Sequence, residues 1–373
     1  MGRRNLRVRV DENGRIEIID PGFDTLPLLQ EIDPAFRARA RTLPKFRAPR
    51  FLELRACYAT QVSKQHVRDL SLETLWAIHD VAMSMRKMTT AAHTANTLSL
   101  LDIKSAIAQR LLTACCLCAR RCGVDRMRGE TGVCGLGSTA TTAEHFVHIA
   151  EEAPINPSLV LNLRGCGLRC RFCQQHPLLD VGTPTGEPLA AELWGRLDMT
   201  GARSLSFVGG NPDESLPAVL GFLAAAPRGF NLPIVWNNHA YMSGEVSRLL
   251  DGVVDCYVPD FKYFDDKCAA RLSGVNHYPD VAKAAIRSLL RRDVPLIVRI
   301  LVLPGHIECC HLPALRWLAE ADQEGNCFVS IRGQYAPDWK ITKRDGLMAR
   351  RVTCDEVQTV VRAAQELGLR MIH

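Results

Sequence analysis

The chain has 373 residues, of which 47% are hydrophobic and 23% charged, and its net charge is +6. This composition is typical of a folded globular protein. The apolar runs are shorter than the roughly 20 residues that cross a bilayer, and the first residues lack the apolar stretch of a secretion signal. The sequence therefore predicts a cytoplasmic protein with no membrane partner.

Basic residues are concentrated in the first third of the chain. Residues 1–112 contain 18 Lys and Arg against 12 Asp and Glu, and the remaining residues are balanced. A basic segment can meet an acidic partner or nucleic acid. Because the charges are scattered and no nucleic-acid motif accompanies them, a solvated face is the simpler interpretation.

Residues 1–112 form the first of three predicted regions, a basic and mostly helical N-terminal extension. Two alternating stretches, 6–10 and 15–19, flank Asn13-Gly14 and predict a small β-hairpin. Apolar residues then recur at helical spacing in two longer stretches. These predicted helices are Leu70 to Met85 and Leu98 to Leu112.

The second predicted region, residues 113–157, is rich in cysteine. The whole chain has 15 cysteines, and in a protein that is not secreted, clustered cysteines more often hold metal or do redox chemistry than form disulfides. The spacing C-x2-C-x3-C-x11-C supplies four thiolates, which suit a structural zinc ion or an auxiliary iron–sulfur cluster, with redox-linked disulfides as the remaining alternative. The four are Cys115, Cys118, Cys122 and Cys134.

The third predicted region, residues 158–373, alternates short apolar strands with helices. Strands this uniformly apolar indicate a parallel sheet covered on both faces, so the fold class is α/β. Six such units favour a partial barrel, in which chemistry gathers at the C-terminal ends of the strands. The predicted strands are Ser158–Leu163, Ser204–Val208, Pro233–Trp236, Asp255–Val258, Leu296–Leu303 and Cys327–Ile331.

The final helix of this region has clear boundaries in the sequence. Thr353 and Glu356 form a capping box, and Gly368 supplies the stop. Between them Val357, Val360, Val361, Ala364 and Leu367 make an apolar stripe.

A second group of cysteines has the spacing C-x3-C-x2-C directly after the first predicted strand. Three thiolates with no fourth nearby suit a cubane iron–sulfur cluster with one iron open to a small molecule. Gly165 and Gly167 would let the backbone wrap closely around it. A zinc site completed by a distant residue such as His176 is the alternative, although zinc sites usually pair cysteines as two C-x2-C hairpins. The three are Cys166, Cys170 and Cys173.

With Phe172 before its last cysteine, this segment resembles the radical S-adenosylmethionine (SAM) superfamily, whose signature is C-x3-C-x-aromatic-C. The resemblance implies a radical SAM partial (β/α)6 barrel in which a [4Fe–4S] cluster on the triplet binds SAM. It implies reductive cleavage of SAM to a 5′-deoxyadenosyl radical, which abstracts hydrogen from a substrate. An electron donor such as flavodoxin or ferredoxin follows from the same resemblance.

Other residues at predicted strand ends are candidates for binding SAM. Gly209, Gly210, Asn211 and Pro212 resemble the Gly-Gly-Glu-Pro turn whose backbone holds the SAM amino group, with Asn211 in place of Glu. Asp260 and Lys262 resemble the Asp-x-Lys of glycyl-radical-enzyme activases, where such residues lie near SAM, and an exposed ion pair is the alternative. Asn237 ends the third strand, a favourable place for a ligand contact.

Two candidates belong to the fifth predicted strand and the loop after it. An unpaired charge in the apolar run around Arg299 would be costly, so Arg299 should meet a carboxylate. The carboxylate of SAM is the natural candidate, and a structural salt bridge is the alternative. His306 is a weaker candidate for the same pocket, since a lone His is more often structural.

The combined motifs resemble the PflX-type branch of the superfamily, which is pyruvate formate-lyase activating enzyme-like. The resemblance covers roughly residues 98–373 and includes Cys115 to Arg126, Asp260 to Tyr263 and Leu303 to Cys310. It implies a protein, peptide or small-molecule substrate, with glycyl radical installation as an alternative role. A competing hypothesis from another class is a zinc-stapled, non-catalytic binding protein.

Overall fold

We describe a computed structural model of the chain, which divides into two compact units, residues 1–43 and 44–373. In the first unit, strands β1 (Arg7–Val10) and β2 (Ile16–Ile19) pair as an antiparallel hairpin, as their alternation predicts. Asn13-Gly14, proposed for the turn, lies outside the described residues. The described residues are 7–10, 16–19, 49–63, 66–85, 97–180 and 186–372.

The second unit begins with three helices and a two-stranded sheet. Both helices predicted in this part of the chain are present. Their order is α1 (Arg50–Ala56), β3 (Tyr58–Ser63), α2 (Leu72–Met85), β4 (Thr97–Ser99) and α3 (Leu100–Arg110), with β3 antiparallel to β4.

An eight-stranded sheet forms the centre of this unit. Two of its strands, β5 (Thr141–His148) and β7 (Glu187–Pro188), are antiparallel, and the other six are parallel. The parallel strands are β6 (Ser158–Leu163), β8 (Ser204–Gly209), β9 (Ile234–Asn238), β10 (Cys256–Pro259), β11 (Leu296–Leu301) and β12 (Cys327–Arg332). Their order across the sheet is β12-β11-β10-β9-β8-β6-β5-β7.

At least one α-helix follows each parallel strand from β8 to β12, and 3₁₀ segments follow β6. The predicted α/β partial barrel is therefore confirmed. Every residue of β6 is buried, as expected for a strand covered on both faces. The helices are α4 (Leu216–Ala224), α5 (Gly244–Leu250), α6 (Asp266–Ser273), α7 (Tyr278–Leu290), α8 (Leu312–Ala321) and α9 (Cys354–Glu366).

Helix α9 begins and ends where the sequence predicts. The Thr353 side chain accepts from the Glu356 amide, and the Glu356 carboxylate accepts from the Thr353 amide, which completes the capping box. Val360 and Ala364 are buried. Gly368 follows the helix with φ +68°, a left-handed conformation that glycine adopts without strain.

Helix α3 joins the N-terminal part of this unit to the barrel. It packs against α4, and its residues Leu100, Leu101, Ile103 and Ile107 are fully buried. The three-region division at residues 112 and 157 stays a prediction. Within the part of the chain that the structure describes, no helix combines the length and the apolar character that a membrane span requires.

Candidate metal centre

The cysteine triplet lies in the loop that leaves the C-terminal end of β6. Cys166 is buried, and Cys170 and Cys173 are half-buried. Two backbone amides of the loop donate to the end of α6. Arg169 donates to Ser273 O at 3.0 Å, and Arg171 donates to Leu272 O at 2.8 Å. The loop is therefore anchored to the barrel at the edge where ligands bind in such folds.

The Gly-Gly turn after β8 packs directly against the triplet loop. The amide of Gly210 donates to Leu163 O at 2.7 Å, and that of Asn211 donates to Gly165 O at 2.9 Å. A Cβ on Gly210 would overlap the Gly165 carbonyl. Only glycine at this position allows so close an approach of the two backbones.

Asn211 already has partners within the protein. Its side-chain Nδ2 donates to Glu214, and its Oδ1 accepts the His239 amide at 3.1 Å. The amide of the side chain therefore shapes the turn, and the backbone is the part that is left to contact a ligand. Pro212 follows and starts the 3₁₀ turn Asp213–Ser215.

Asp260 and Lys262 form an ion pair beside the triplet. Lys262 Nζ lies 2.6 Å from Asp260 Oδ2. Burial lowers the pKa of Lys262, but Asp260, Cys170 and Tyr278 together outweigh that effect, so the pKa rises above its ordinary value. Both charges also act on Cys170, where burial raises the pKa, Lys262 lowers it and Asp260 raises it. The structure thus brings the predicted pair and the triplet together.

Ser273, at the end of α6, contacts the triplet and is a residue that sequence reasoning missed. Its hydroxyl donates to Cys170 Sγ at 2.9 Å and lies 2.7 Å from the Tyr263 hydroxyl. Ser273 is fully buried. A serine at a helix end gives no sign of this contact, because its partner is 103 residues away.

The segment after β12 covers the outer side of the triplet loop. Phe172 packs edge-on against the buried Tyr335, with ring centroids 5.8 Å apart. Gln174 Nε2 donates to Gln334 O at 3.2 Å. His176, the suggested fourth zinc ligand, stacks on Trp339 with a centroid separation of 5.8 Å.

Asn237 is half-buried near the C-terminal end of β9. Its neighbours Trp236 and Asn238 point to the other face of the strand. There they donate to the buried Asp213 carboxylate at 2.7 and 3.0 Å. Asn237 itself remains a candidate for a ligand contact, because it lies near the C-terminal end of the strand.

Arg299 has a different partner from the SAM carboxylate suggested by the sequence. It donates to Glu152 Oε1 at 2.7 Å and Oε2 at 2.6 Å, and also to Glu151. Burial raises the pKa of Glu152, but Arg299 and Arg332 outweigh that effect and lower it well below its usual range. The geometry therefore favours the salt bridge over a SAM contact, because two carboxylates already satisfy this guanidinium.

His306 lies in a group of cysteines separate from the triplet. Its Nδ1 is 3.4 Å from both Cys268 Sγ and Cys309 Sγ. Burial, and then the charge of Arg271, lower the pKa of His306. These contacts place His306 among thiols of α6 and of the loop after β11, and they give no support for a SAM contact.

The upstream cysteines lie next to the triplet loop. Cys115, Cys118 and Cys134 are buried, and Cys122 is exposed. A Cβ on Gly167 would stand 3.1 Å from Cys118 Sγ. Cys118 therefore lies beside Gly167, the residue directly after Cys166.

Glu214 connects the two cysteine groups and was also missed from the sequence. Its carboxylate accepts the Gly167 amide at 2.7 Å, and its charge raises the pKa of Cys166 and Cys118 in addition to the larger effect of burial. Its backbone oxygen accepts from Arg126 at 2.8 Å. These contacts join residues 47 and 88 positions apart in the chain, so spacing in the sequence gives no sign of them.

These residues fit a [4Fe–4S] cluster with SAM. The donor set is three thiols, the ligand type that iron–sulfur clusters take. A Cβ at Gly165, Gly167 or Gly210 would collide with neighbouring protein atoms, so these glycines let the triplet loop pack closely against its surroundings. The Asp260–Lys262 pair adds charged groups next to Cys170 for a polar ligand.

Comparison with known proteins identifies the class to which this site belongs. The family model for the radical SAM superfamily matches residues 163–318. The chain therefore contains a radical SAM superfamily domain, and such a domain implies an enzyme that uses a [4Fe–4S] cluster and SAM. It is similar to an uncharacterized protein of Methanocaldococcus jannaschii, MJ0674, with 30% identity over 325 residues that cover 84% of this chain and 93% of that protein. The PflX-type branch stays a prediction.

The solved structures that resemble this chain are less similar to it in sequence. SuiB of Streptococcus suis bound to S-adenosylmethionine matches with 14% identity and a TM-score of 0.41, over 55% of this chain and 47% of that chain. HydG, a maturase of the [FeFe]-hydrogenase, matches with 12% identity and a TM-score of 0.43, over 82% of this chain and 64% of that chain. The chain thus spans about half the length of SuiB.

Proposed function

We propose that this protein cleaves SAM reductively with a [4Fe–4S] cluster held by Cys166, Cys170 and Cys173. The supporting observation is that the three thiols leave the C-terminal end of β6 with the Asp260–Lys262 pair beside Cys170. When bound, the cluster and SAM supply a 5′-deoxyadenosyl radical that removes a hydrogen atom from a substrate.

In this proposal, the residues of the chain bind SAM and orient it. The backbone of the Gly209–Pro212 turn, held against the triplet loop, presents polar groups to the SAM amino group. Lys262 and Asp260 offer an ammonium and a carboxylate to the polar end of the ligand. Phe172 and Tyr335 pack on the outer side and keep water from the loop.

The proposed reaction needs partners outside this chain. One electron per turnover comes from a small redox protein such as flavodoxin or ferredoxin, in the cytoplasm. The substrate is a protein, a peptide or a small molecule. Glycyl radical installation and the non-catalytic zinc-stapled role stay alternative predictions, and membership of an enzyme superfamily speaks against the second.

We propose a second metal site at Cys115, Cys118, Cys122 and Cys134, holding an iron–sulfur cluster or zinc. Its support is that three of these thiols are buried and that Cys118 adjoins Gly167. Four thiolates close a coordination shell, so this site would serve structure or electron transfer and would not bind SAM.

The test is anaerobic purification of the full chain, reconstitution with iron and sulfide, and incubation with dithionite and SAM. We expect 5′-deoxyadenosine and methionine in equal amounts. Cys166→Ala, Cys170→Ala and Cys173→Ala should each reduce the product by at least about a thousandfold, since each removes a ligand of the reacting iron–sulfur group.

Two controls make this result specific. Cys256→Ala, at a buried cysteine of β10, should leave cleavage unchanged, and Cys118→Ala should retain SAM cleavage while altering stability or substrate turnover. Intact iron without 5′-deoxyadenosine would count against the proposal. Loss of cleavage in Cys118→Ala, with cleavage retained in the triplet variants, would reverse the assignment of the two groups.

A further inference from the structure

Four metal-binding side chains meet away from the triplet and from the upstream cysteines. Their ligand atoms all lie within 4.8 Å of one another. Cys268 comes from α6, and the other three come from the loop and π-helical turn between β11 and α8. The group consists of Cys268, His306, Cys309 and Cys310.

The separations between these ligand atoms match the edges of a small tetrahedron. Cys309 Sγ lies 3.8 Å from Cys268 Sγ and 3.7 Å from Cys310 Sγ, and His306 Nδ1 lies 3.4 Å from two of the sulfurs. Bonds of about 2.3 Å to sulfur and about 2.0 Å to nitrogen, arranged tetrahedrally, place sulfurs about 3.8 Å apart and nitrogen about 3.5 Å from sulfur. One ion at the centre would therefore bind all four atoms with little movement.

Burial indicates a closed site. Cys310 is 1% exposed, His306 is 4% exposed and Cys268 is 9% exposed. Closed, four-coordinate thiolate and imidazole sets are typical of structural zinc. A cubane cluster spreads its ligand sulfurs over several iron atoms and needs wider spacing than this group has.

Metal binding at His306 requires the Arg271 side chain to move. A metal on Nδ1 places the ring proton on Nε2, which now lies 3.1 Å from Arg271 Nη2, another donor. Arg271 is exposed, so its side chain is free to turn aside. Three thiolates leave a zinc site with a net negative charge, which a guanidinium close by would offset.

We propose that Cys268, His306, Cys309 and Cys310 bind one zinc ion. The ion fastens α6 to the loop after β11, two segments that are about 40 residues apart in the chain and that gain order from a shared metal. Ser273, at the other end of α6, is the residue that contacts Cys170. The zinc ion thus holds in place a helix that supports the triplet.

The test measures zinc and iron per chain by mass spectrometry on the anaerobically purified, iron-reconstituted full chain. We expect Cys268→Ser and Cys310→Ser each to lose about one zinc ion per chain while iron stays unchanged. The matched control Cys354→Ser, at an exposed cysteine of α9, should keep both metals. In a Cys118→Ser background, adding Cys268→Ser should still remove one further zinc ion per chain, whichever metal the upstream group holds.

A second measurement keeps the proposal testable if a variant does not fold. Cobalt(II) supplied in place of zinc during growth should give wild-type protein the intense visible bands of a tetrahedral thiolate site. Folded Cys268→Ser should lose the band intensity of one such site, whether or not the upstream cysteines also bind cobalt.

Three results would overturn the proposal. The first is wild-type protein without zinc after zinc-replete growth. The second is loss of iron in place of zinc from Cys310→Ser. The third is a disulfide among these cysteines, shown by mass after alkylation without reductant. None of these readouts depends on SAM cleavage, so failure here is distinguishable from failure of the proposed reaction.

Discussion

A single hydroxyl on α6 reaches the proposed cluster. Ser273 Oγ donates to Cys170 Sγ at 2.9 Å. Hydrogen bonds to ligand sulfurs stabilise the reduced, more negative state of an iron–sulfur cluster and so raise its reduction potential. Ser273→Ala should therefore lower the midpoint potential and slow SAM cleavage several-fold, with iron content unchanged.

The measurement is a redox titration of the reconstituted protein followed by electron paramagnetic resonance. Ser288→Ala, at a half-buried serine of α7, is a suitable control because it changes the same group elsewhere. Tyr263→Phe, which removes the partner hydroxyl of Ser273, should give a smaller shift. An unchanged potential in Ser273→Ala would mean that the hydroxyl does not bond the sulfur in the loaded protein.

At the scale of elements, Asp255 fastens α1 to the barrel. Its Oδ1 accepts the Arg50 amide at the start of α1 at 3.0 Å, and its Oδ2 accepts the Ile234 amide of β9 at 2.7 Å. Asp255→Ala would leave two buried or half-buried amides without an acceptor. We expect a loss of about 2–4 kcal/mol in the free energy of unfolding, measured with urea at pH 7.

The same carboxyl gives a pH dependence of defined sign. Burial raises the pKa of Asp255 to about 6, above the value of about 3.9 in an unfolded chain. Between these values the folded state holds more protons, so stability falls as pH rises. Wild type should lose about 1 kcal/mol through this group from pH 5 to pH 7, and none further above that.

Asp255→Asn should remove that part of the pH dependence, since it removes the titrating group and keeps one acceptor. Asp293→Asn, at an exposed position before β11, should retain it. Equal pH profiles for wild type and Asp255→Asn between pH 5 and pH 7 would contradict the assignment.

Local sequence predicts some strands of the sheet and not others. The predicted strand Ser158–Leu163 matches β6 residue for residue, because a strand buried on both faces needs an unbroken apolar run. Strand β5 was not predicted. Its sequence includes Glu144, His145 and His148, and only one of its residues is buried, so it lacks both an apolar run and a clear alternation.

At the scale of the molecule, the contacts that the sequence could not predict join residues far apart in the chain. Spacing alone indicated the triplet, because its three ligands lie within eight residues. It did not show that Glu152, 147 residues from Arg299, already neutralises that charge. It also did not join Cys268 to His306, 38 residues away. Contacts of this kind depend on which strand ends the barrel brings together, and periodicity does not report that.

The division of the chain at residue 43 leads to a final prediction. All the residues proposed to hold metal or SAM lie in the unit 44–373, which has its own sheet and core. A compact unit with its own core can fold alone. A chain that starts at Pro44 should therefore keep its iron and cleave SAM within about twofold of the full chain.

Iron content, circular dichroism and 5′-deoxyadenosine formation on the two chains provide the measurement. A folded, iron-loaded short chain that no longer cleaves SAM would show that residues 1–43 complete the SAM site. Retained cleavage with lost turnover of an added substrate would instead assign the N-terminal unit to substrate binding. These two outcomes are separable because SAM cleavage can be measured without any substrate.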